Sequence, residues 1–402
     1  MDTSQRDMSE PNVPESPVRS SASKPLAYDP ERTPVANVRN NKRYAAMSAD
    51  DSISTSSKKS RSSTSSYRSE SYSPGKPAVL QSLITPIRTE KMAQIDQSKG
   101  VSNLLRRVRQ YAAGIETIPY SQVANYRHRY QDDGDLIHEV GYNPDSERSK
   151  LGSFPDVTVI EALCSESIDC RKYKEQEPAW NTQVHGPVLF LAKSISAYTQ
   201  DTSFCNITRA KIMPQYIPRA PDGIAPLSGK MVDFALTLNP DAKITAMFNK
   251  LPFQPGIGKC FNHTNHAPIV SRPIAISIES KSERGDSQYG ITQLQTWVAA
   301  HYNRLQDVIG PEVKVEDFPT LPLLLVQGPR WNLYMAQRRC IEGIWETVVF
   351  ETITIGETIS PSGCCKVLAV LLLLMQWAAS DFREWCLKYY AAYNDRLTSE
   401  GV

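Results

Sequence analysis

Asp233, Glu279 and Lys281 bring together the residue types that metal-assisted hydrolysis of a phosphodiester requires. Two carboxylates on neighbouring strand ends offer hard oxygen ligands to Mg2+. An ion held that way polarises a phosphate oxygen and helps a bound water become a nucleophile. An ammonium nearby orients that water and offsets charge developing in the transition state. Glu279 and Lys281 are separated by one residue, so an extended strand presents both on the same face. A plainer reading stays open: the pair is a salt bridge at a strand end, and Asp233 caps a turn.

The strand that must carry the pair is Pro273 to Lys281, PIAISIESK. Ile274, Ile276 and Ile278 share one face, with Ser277, Glu279 and Lys281 on the other. An isoleucine face of this kind belongs in a sheet buried against helices. A second strand is expected at Lys230 to Leu238, KMVDFALTL, with Val232, Phe234, Leu236 and Leu238 on one face. Asp233 then lies on the half-polar face with Met231, Ala235 and Thr237. After PIAISIESK the spacing of Ile291, Leu294, Trp297, Val298, His301 and Leu305 predicts a helix from Ser287 to Ile309. The same Glu-x-Lys spacing recurs at Glu312-Val313-Lys314, in a polar stretch between Pro311 and Asp317. Only the first copy ends an apolar strand and follows an Asp-bearing one, so context and not the triplet supplies the specificity.

Around these lies a conventional succession of elements. Residues 1–85 are rich in Ser, Pro, Asn and Arg without apolar periodicity, which predicts a disordered tail before a folded domain at 86–398. Amphipathic spacing predicts a helix near 101–112 and another at about 179–198, with Pro178 in its first turn. Pro187 inside the second predicts a kink or a later start. Strands are expected at 321–326, 331–337 and 344–355, and a closing helix at 364–391. Helices on both sides of a strand group imply an α/β fold, a three-layer core with a mixed central sheet.

Composition narrows the classes. The net charge is +2, and the first 80 residues hold 12 Lys/Arg against 9 Asp/Glu, leaving 33 against 34 for the rest. A general polyanion binder is not indicated, so any nucleic-acid surface is a local patch. The eight cysteines form no Cys-x-x-Cys pair, and the N-terminus has no apolar segment. That pattern fits reduced thiols in an intracellular, soluble protein. The apolar run Val367 to Ala379 is too short to span a bilayer and reads as a buried helix. Lys42-Arg43 and Lys58-Lys59-Ser60-Arg61 suit a nuclear localisation signal, with solubilising charge in a cytoplasmic protein as the alternative. Ser16-Pro17, Thr33-Pro34 and Ser73-Pro74 are candidate phosphorylation sites. Cys260, His263 and His266 have metal-ligand residue types but no fourth partner at motif spacing, which favours a loop. Cys364-Cys365 reads as packed thiol and His185 as a satisfied core histidine.

Taken together, these motifs resemble the PD-(D/E)XK nuclease superfamily, in particular a fungal group of PD-(D/E)XK nuclease-like domain proteins. The resemblance is carried by VDFAL with Asp233, IAISIESK with Glu279 and Lys281, QLQTWVAA from Gln293, and WNTQVH from Trp180 to His185. It extends over roughly Leu104 to Tyr390. It implies a restriction-endonuclease-like core, with Asp233 and Glu279 as metal ligands, Lys281 as catalytic lysine and Gln293 as a site-positioning residue. Glu177 is a further match, to an acidic metal residue on the first helix. Mg2+ or Mn2+ and a nucleic-acid substrate, DNA ahead of RNA, are implied with it. Val232 stands where the motif has its proline. The alternative is an inactive nuclease-fold interaction or accessory protein, linked to a fungal secondary-metabolite pathway.

Overall fold

The computed structural model describes residues 77–96, 99–130, 146–222, 231–255 and 258–399. The basic clusters and the Ser/Thr-Pro pairs lie outside them. The described chain opens with α1 (Pro77–Gln81) and β1 (Ile87–Glu90). Leu80 and Leu83 are buried with Ile87 and Ala299. Packed chain therefore starts ahead of the boundary expected at residue 86, because two leucines suffice to anchor the segment.

Helices α2 (Lys99–Ala112), α3 (Tyr120–Arg129) and α4 (Val157–Tyr173) follow. Apolar periodicity does not announce α4. Its buried stripe is Ile160, Leu163, Cys164, Ser167 and Cys170, of which only two are strong hydrophobes. The helix expected at 179–198 begins two residues earlier and is wound in three parts: α5 (Glu177–Trp180), a π turn (Asn181–His185) and α6 (Gly186–Ile195). In the π turn the Gly186 N–H reaches back five residues to the Asn181 carbonyl. The wider winding carries the helix past Pro187, which has no N–H to donate. A Cβ on Gly186 would lie 2.8 Å from the Asn181 oxygen, so the turn needs glycine there.

The remaining elements are β2 (Thr202–Asn206), β3 (Phe234–Leu238), α7 (Ala242–Lys250), β4 (Ile274–Lys281), α8 (Ser287–Ile309), β5 (Leu321–Gln327), β6 (Arg330–Ile341), β7 (Ile344–Glu357), α9 (Pro361–Trp377) and α10 (Arg383–Ser399). A second π turn, Ala378–Phe382, joins the last two. The strand expected from Lys230 is shorter, and Asp233 immediately precedes it.

The strands form one mixed seven-stranded sheet in the order β1-β7-β6-β5-β4-β3-β2. β4 and β5 pair in parallel, and β3 pairs antiparallel with β4. A parallel pair needs a crossover, which α8 provides while packing on β4 and β5. Helix α9, with α2 and α6 against it, completes the three layers. All eight side chains of β4 are buried, so its polar face is as enclosed as its isoleucine face. The α9–α10 run is long and apolar enough to cross a membrane, but Val367 to Met375 are all buried in this core.

Candidate active site

Sheet register brings the predicted residues together. Phe234 pairs with Ile278, and the Asp233 N–H donates to the Ile278 carbonyl at 3.1 Å. Asp233 therefore enters the sheet next to the Glu279-Ser280-Lys281 end of β4. Glu279 is 1% exposed, Lys281 7% and Asp233 8%.

The three side chains are held differently. Asp233 Oδ2 accepts from the Ser280 N–H at 2.9 Å and the Ser280 hydroxyl at 2.7 Å. Its Oδ1 makes no hydrogen bond with the described residues. Lys281 Nζ donates to Glu279 Oε1, to Glu177 Oε2 at 3.1 Å and to the Ser280 carbonyl at 2.7 Å. Those three acceptors use all three of its N–H groups. Glu279 Oε2 is buried without any partner.

Helix α8 holds the lysine stem from above. A Cβ at Gly290 would meet Leu325 Cδ1 at 2.8 Å and Lys281 Cγ at 3.3 Å. The absence of a side chain there lets the helix lie close on β4. The lysine backbone is tied as well, since its carbonyl accepts from the Gly328 N–H at 2.8 Å.

Electrostatics follow from two carboxylates, Glu279 and Glu177, on one ammonium, with the charge of Asp233 acting on Glu279. Burial, then the charge of Asp233, push Glu279 up to about 9 against the pull of Lys281. Burial draws the Lys281 ammonium down, but Glu279 and Glu177 outweigh it and leave its pKa above the ordinary lysine value. An orphaned oxygen on Glu279 and an unbonded one on Asp233, whose charge acts on Glu279, are donors suited to a hard cation. Glu279 Oε2 and Asp233 Oδ1 thus fit Mg2+ or Mn2+ by chemistry. Among the described residues no group of three or more His, Cys, Asp or Glu could hold a metal.

Glu177, first residue of α5, meets the cluster through Lys281, and its charge adds to the upward push on Glu279. Gln293 stands apart from the carboxylates: its amide donates to the Met231 carbonyl at 2.9 Å, two residues ahead of Asp233, and its Oε1 is buried without a partner. Cys260 donates to the Thr264 carbonyl, and His263 stacks on His301 with centroids 5.0 Å apart.

Three further residues adjoin the site without having been singled out for it by residue type. Ser280 bonds Asp233, Asn181 lies 2.7 Å from the Ser280 hydroxyl, and His185 lies 2.9 Å from Asn181. A signal for the first existed: Ser280 breaks the isoleucine series of Ile274, Ile276 and Ile278 on one face of β4.

A family model described as the PD-(D/E)XK nuclease superfamily matches residues 125–383, a stretch that holds Glu177, Asn181, Asp233, Glu279, Lys281 and Gln293. No curated protein matches the chain.

Proposed function

The chain belongs to the PD-(D/E)XK nuclease superfamily, and from that premise we propose that it hydrolyses nucleic-acid phosphodiesters with the help of Mg2+ or Mn2+. The observation that carries the reading is Glu279 Oε2, an acidic oxygen buried with nothing to bond. Such a group costs stability unless a ligand completes it. Asp233 and Glu279 are the residues that would hold the ion. When bound it supplies Lewis-acid polarisation of the phosphate and a more acidic water.

The chain's own residues supply the rest. Lys281 brings positive charge to the place where phosphate oxygens gain charge. Glu177 holds that ammonium from the side of α5. Gln293 fixes the Met231 carbonyl and with it the approach of the chain to Asp233. Closed packing of α8 on the lysine stem keeps water from the aliphatic part of the site. DNA is the preferred substrate class in this reading, with RNA second. The basic clusters at 42–43 and 58–61 support work in the nucleus.

Incubation of the purified chain with single- and double-stranded DNA and RNA tests it. Cleavage should require Mg2+ or Mn2+, and Lys281→Ala should abolish turnover while Mn2+ affinity is kept. Absence of both cleavage and metal binding would sink the proposal.

One observation favours a second reading, an inactive nuclease fold serving as an interaction or accessory protein. Lys281 already satisfies its three donors on Glu279, Glu177 and Ser280, so the ammonium is fully engaged within the chain. A flat Mn2+ titration by calorimetry would select it.

A further inference from the structure

Behind Asp233 runs a line of polar contacts. His185 Nε2 lies 2.8 Å from the Gly328 carbonyl, and His185 Nδ1 lies 2.9 Å from the side-chain amide of Asn181. The same amide atom lies 2.7 Å from the Ser280 hydroxyl, which reaches Asp233 Oδ2 at 2.7 Å. These residues come from the β5–β6 turn, the π turn, β4 and the entry to β3.

Proton positions along the line follow from valence. A carbonyl only accepts, so His185 Nε2 carries a hydrogen. The imidazole is fully buried, stacked on Trp180 at 5.7 Å and edge-on to Trp331 at 6.0 Å, and among the described residues no carboxylate bonds it. Burial keeps it neutral and lowers its pKa to about 4. Nδ1 therefore holds a lone pair. The Asn181 atom facing it is placed as Oδ1, which would set two acceptors against each other. An amide's oxygen and nitrogen are told apart by their partners. The partners here require Nδ2 in that position.

With the nitrogen there, one amide hydrogen goes to His185 Nδ1 and the other to Ser280 Oγ. The single Ser280 hydroxyl proton then has one destination, Asp233 Oδ2. Every donor meets an acceptor, and Asp233 is left with Oδ1 unbonded.

We infer that Asn181, held in orientation by His185, is a positioning residue that directs the Ser280 hydroxyl onto one oxygen of Asp233 and so selects the other for the cation. The inference rests on the metal-site reading above. Asn181 and His185, four residues apart, lie together on one side of the helix.

Asn181→Asp tests it without changing shape. The new carboxylate competes for the Ser280 proton, so Mn2+ affinity by calorimetry below the melting transition should fall about 10-fold or more. The melting temperature should fall as well, because the same carboxylate faces the His185 Nδ1 lone pair. Simple attraction predicts the opposite, since an added negative charge near a cation site tightens binding. Affinity equal to or above wild type in Asn181→Asp overturns the inference while the metal-site reading stands. A wild-type chain that binds no Mn2+ removes both. Nitrogen-15 NMR of labelled histidine in the wild-type chain is a check that needs no variant. The Nε2–H tautomer is expected at His185, and an Nδ1–H form overturns the relay.

Discussion

Ser280 holds Asp233 twice on the same oxygen, through its backbone N–H at 2.9 Å and its hydroxyl at 2.7 Å. The doubled bond leaves Asp233 with one occupied oxygen and one open one. In the strand-end motif Glu279-Ser280-Lys281, the middle residue thus acts on the aspartate while its neighbours point to the opposite face.

Ser280→Ala keeps the backbone bond and removes the hydroxyl. Loss of one buried hydrogen bond costs about 1 kcal/mol of stability. Mn2+ affinity should drop about 10- to 100-fold, as expected for a partner that orients a ligand. Calorimetry and thermal melting on the same sample separate the two effects. An unchanged Mn2+ affinity would show that the hydroxyl does not orient Asp233.

Glu279→Gln should stabilise the fold while removing metal binding. The native carboxyl is buried, pushed up to about 9, and has one oxygen unpartnered. A neutral isostere avoids that penalty, and Lys281 retains Glu177 and the Ser280 carbonyl. A gain on the order of 1–3 kcal/mol is expected, a stability increase set against function. A lower melting temperature for this variant would mean that the Lys281 pair stabilises more than the buried carboxylate costs.

Gly290→Ala tests how close α8 must lie to the lysine. In a solvent-facing helix the change would favour folding by about 1 kcal/mol. Here the new methyl meets buried Leu325 and the Lys281 stem, and overpacking costs about 1–3 kcal/mol. The net expectation is destabilisation with loss of cleavage. A melting temperature above wild type would show that the contact relaxes freely.

Acid should destabilise the protein from pH 6.5 downward. Burial lowers His185 to about 4 and His301 to about 3, and holds His263 well below its ordinary value. Above pH 6.5 these rings are neutral both folded and unfolded, so their contribution is complete there. Below it the unfolded chain takes up three protons that the folded chain refuses until its own depressed values are reached. Glu279 works the other way, because its raised value lets the folded state hold a proton between pH 4.5 and about 9. The difference is about two protons, a slope of roughly 3 kcal/mol per pH unit near pH 5. Urea midpoints at pH 7, 6 and 5 measure it, and a flat series would contradict neutral burial of these rings.

Much of the fold could be read ahead of the structure where one face of an element is strongly apolar. The Ile274, Ile276, Ile278 alternation marked β4, and the 3.6-residue spacing from Ile291 to Leu305 marked α8 with the bounds it has, Ser287–Ile309. Helix α4 escaped because cysteines and a serine fill its buried stripe. The packed segment at Leu80 and Leu83 escaped because two leucines in a polar region carry no periodicity.

The sequence by itself determined which residues have the chemistry: two carboxylates, a lysine one residue from one of them, and strands to bear them. Those are properties of side-chain type and of alternation along a single strand. Only the tertiary structure decided their relations. The β3–β4 register put Asp233 beside Ser280, the start of α5 brought Glu177 to Lys281 across 104 positions, and the π turn set Asn181 and His185 behind the aspartate. Hydrogen bonds and charges act over a few ångströms, and pairing between distant segments is set by how the whole core packs. That Glu279 keeps one oxygen, Oε2, buried without a partner is therefore a property of the folded sheet.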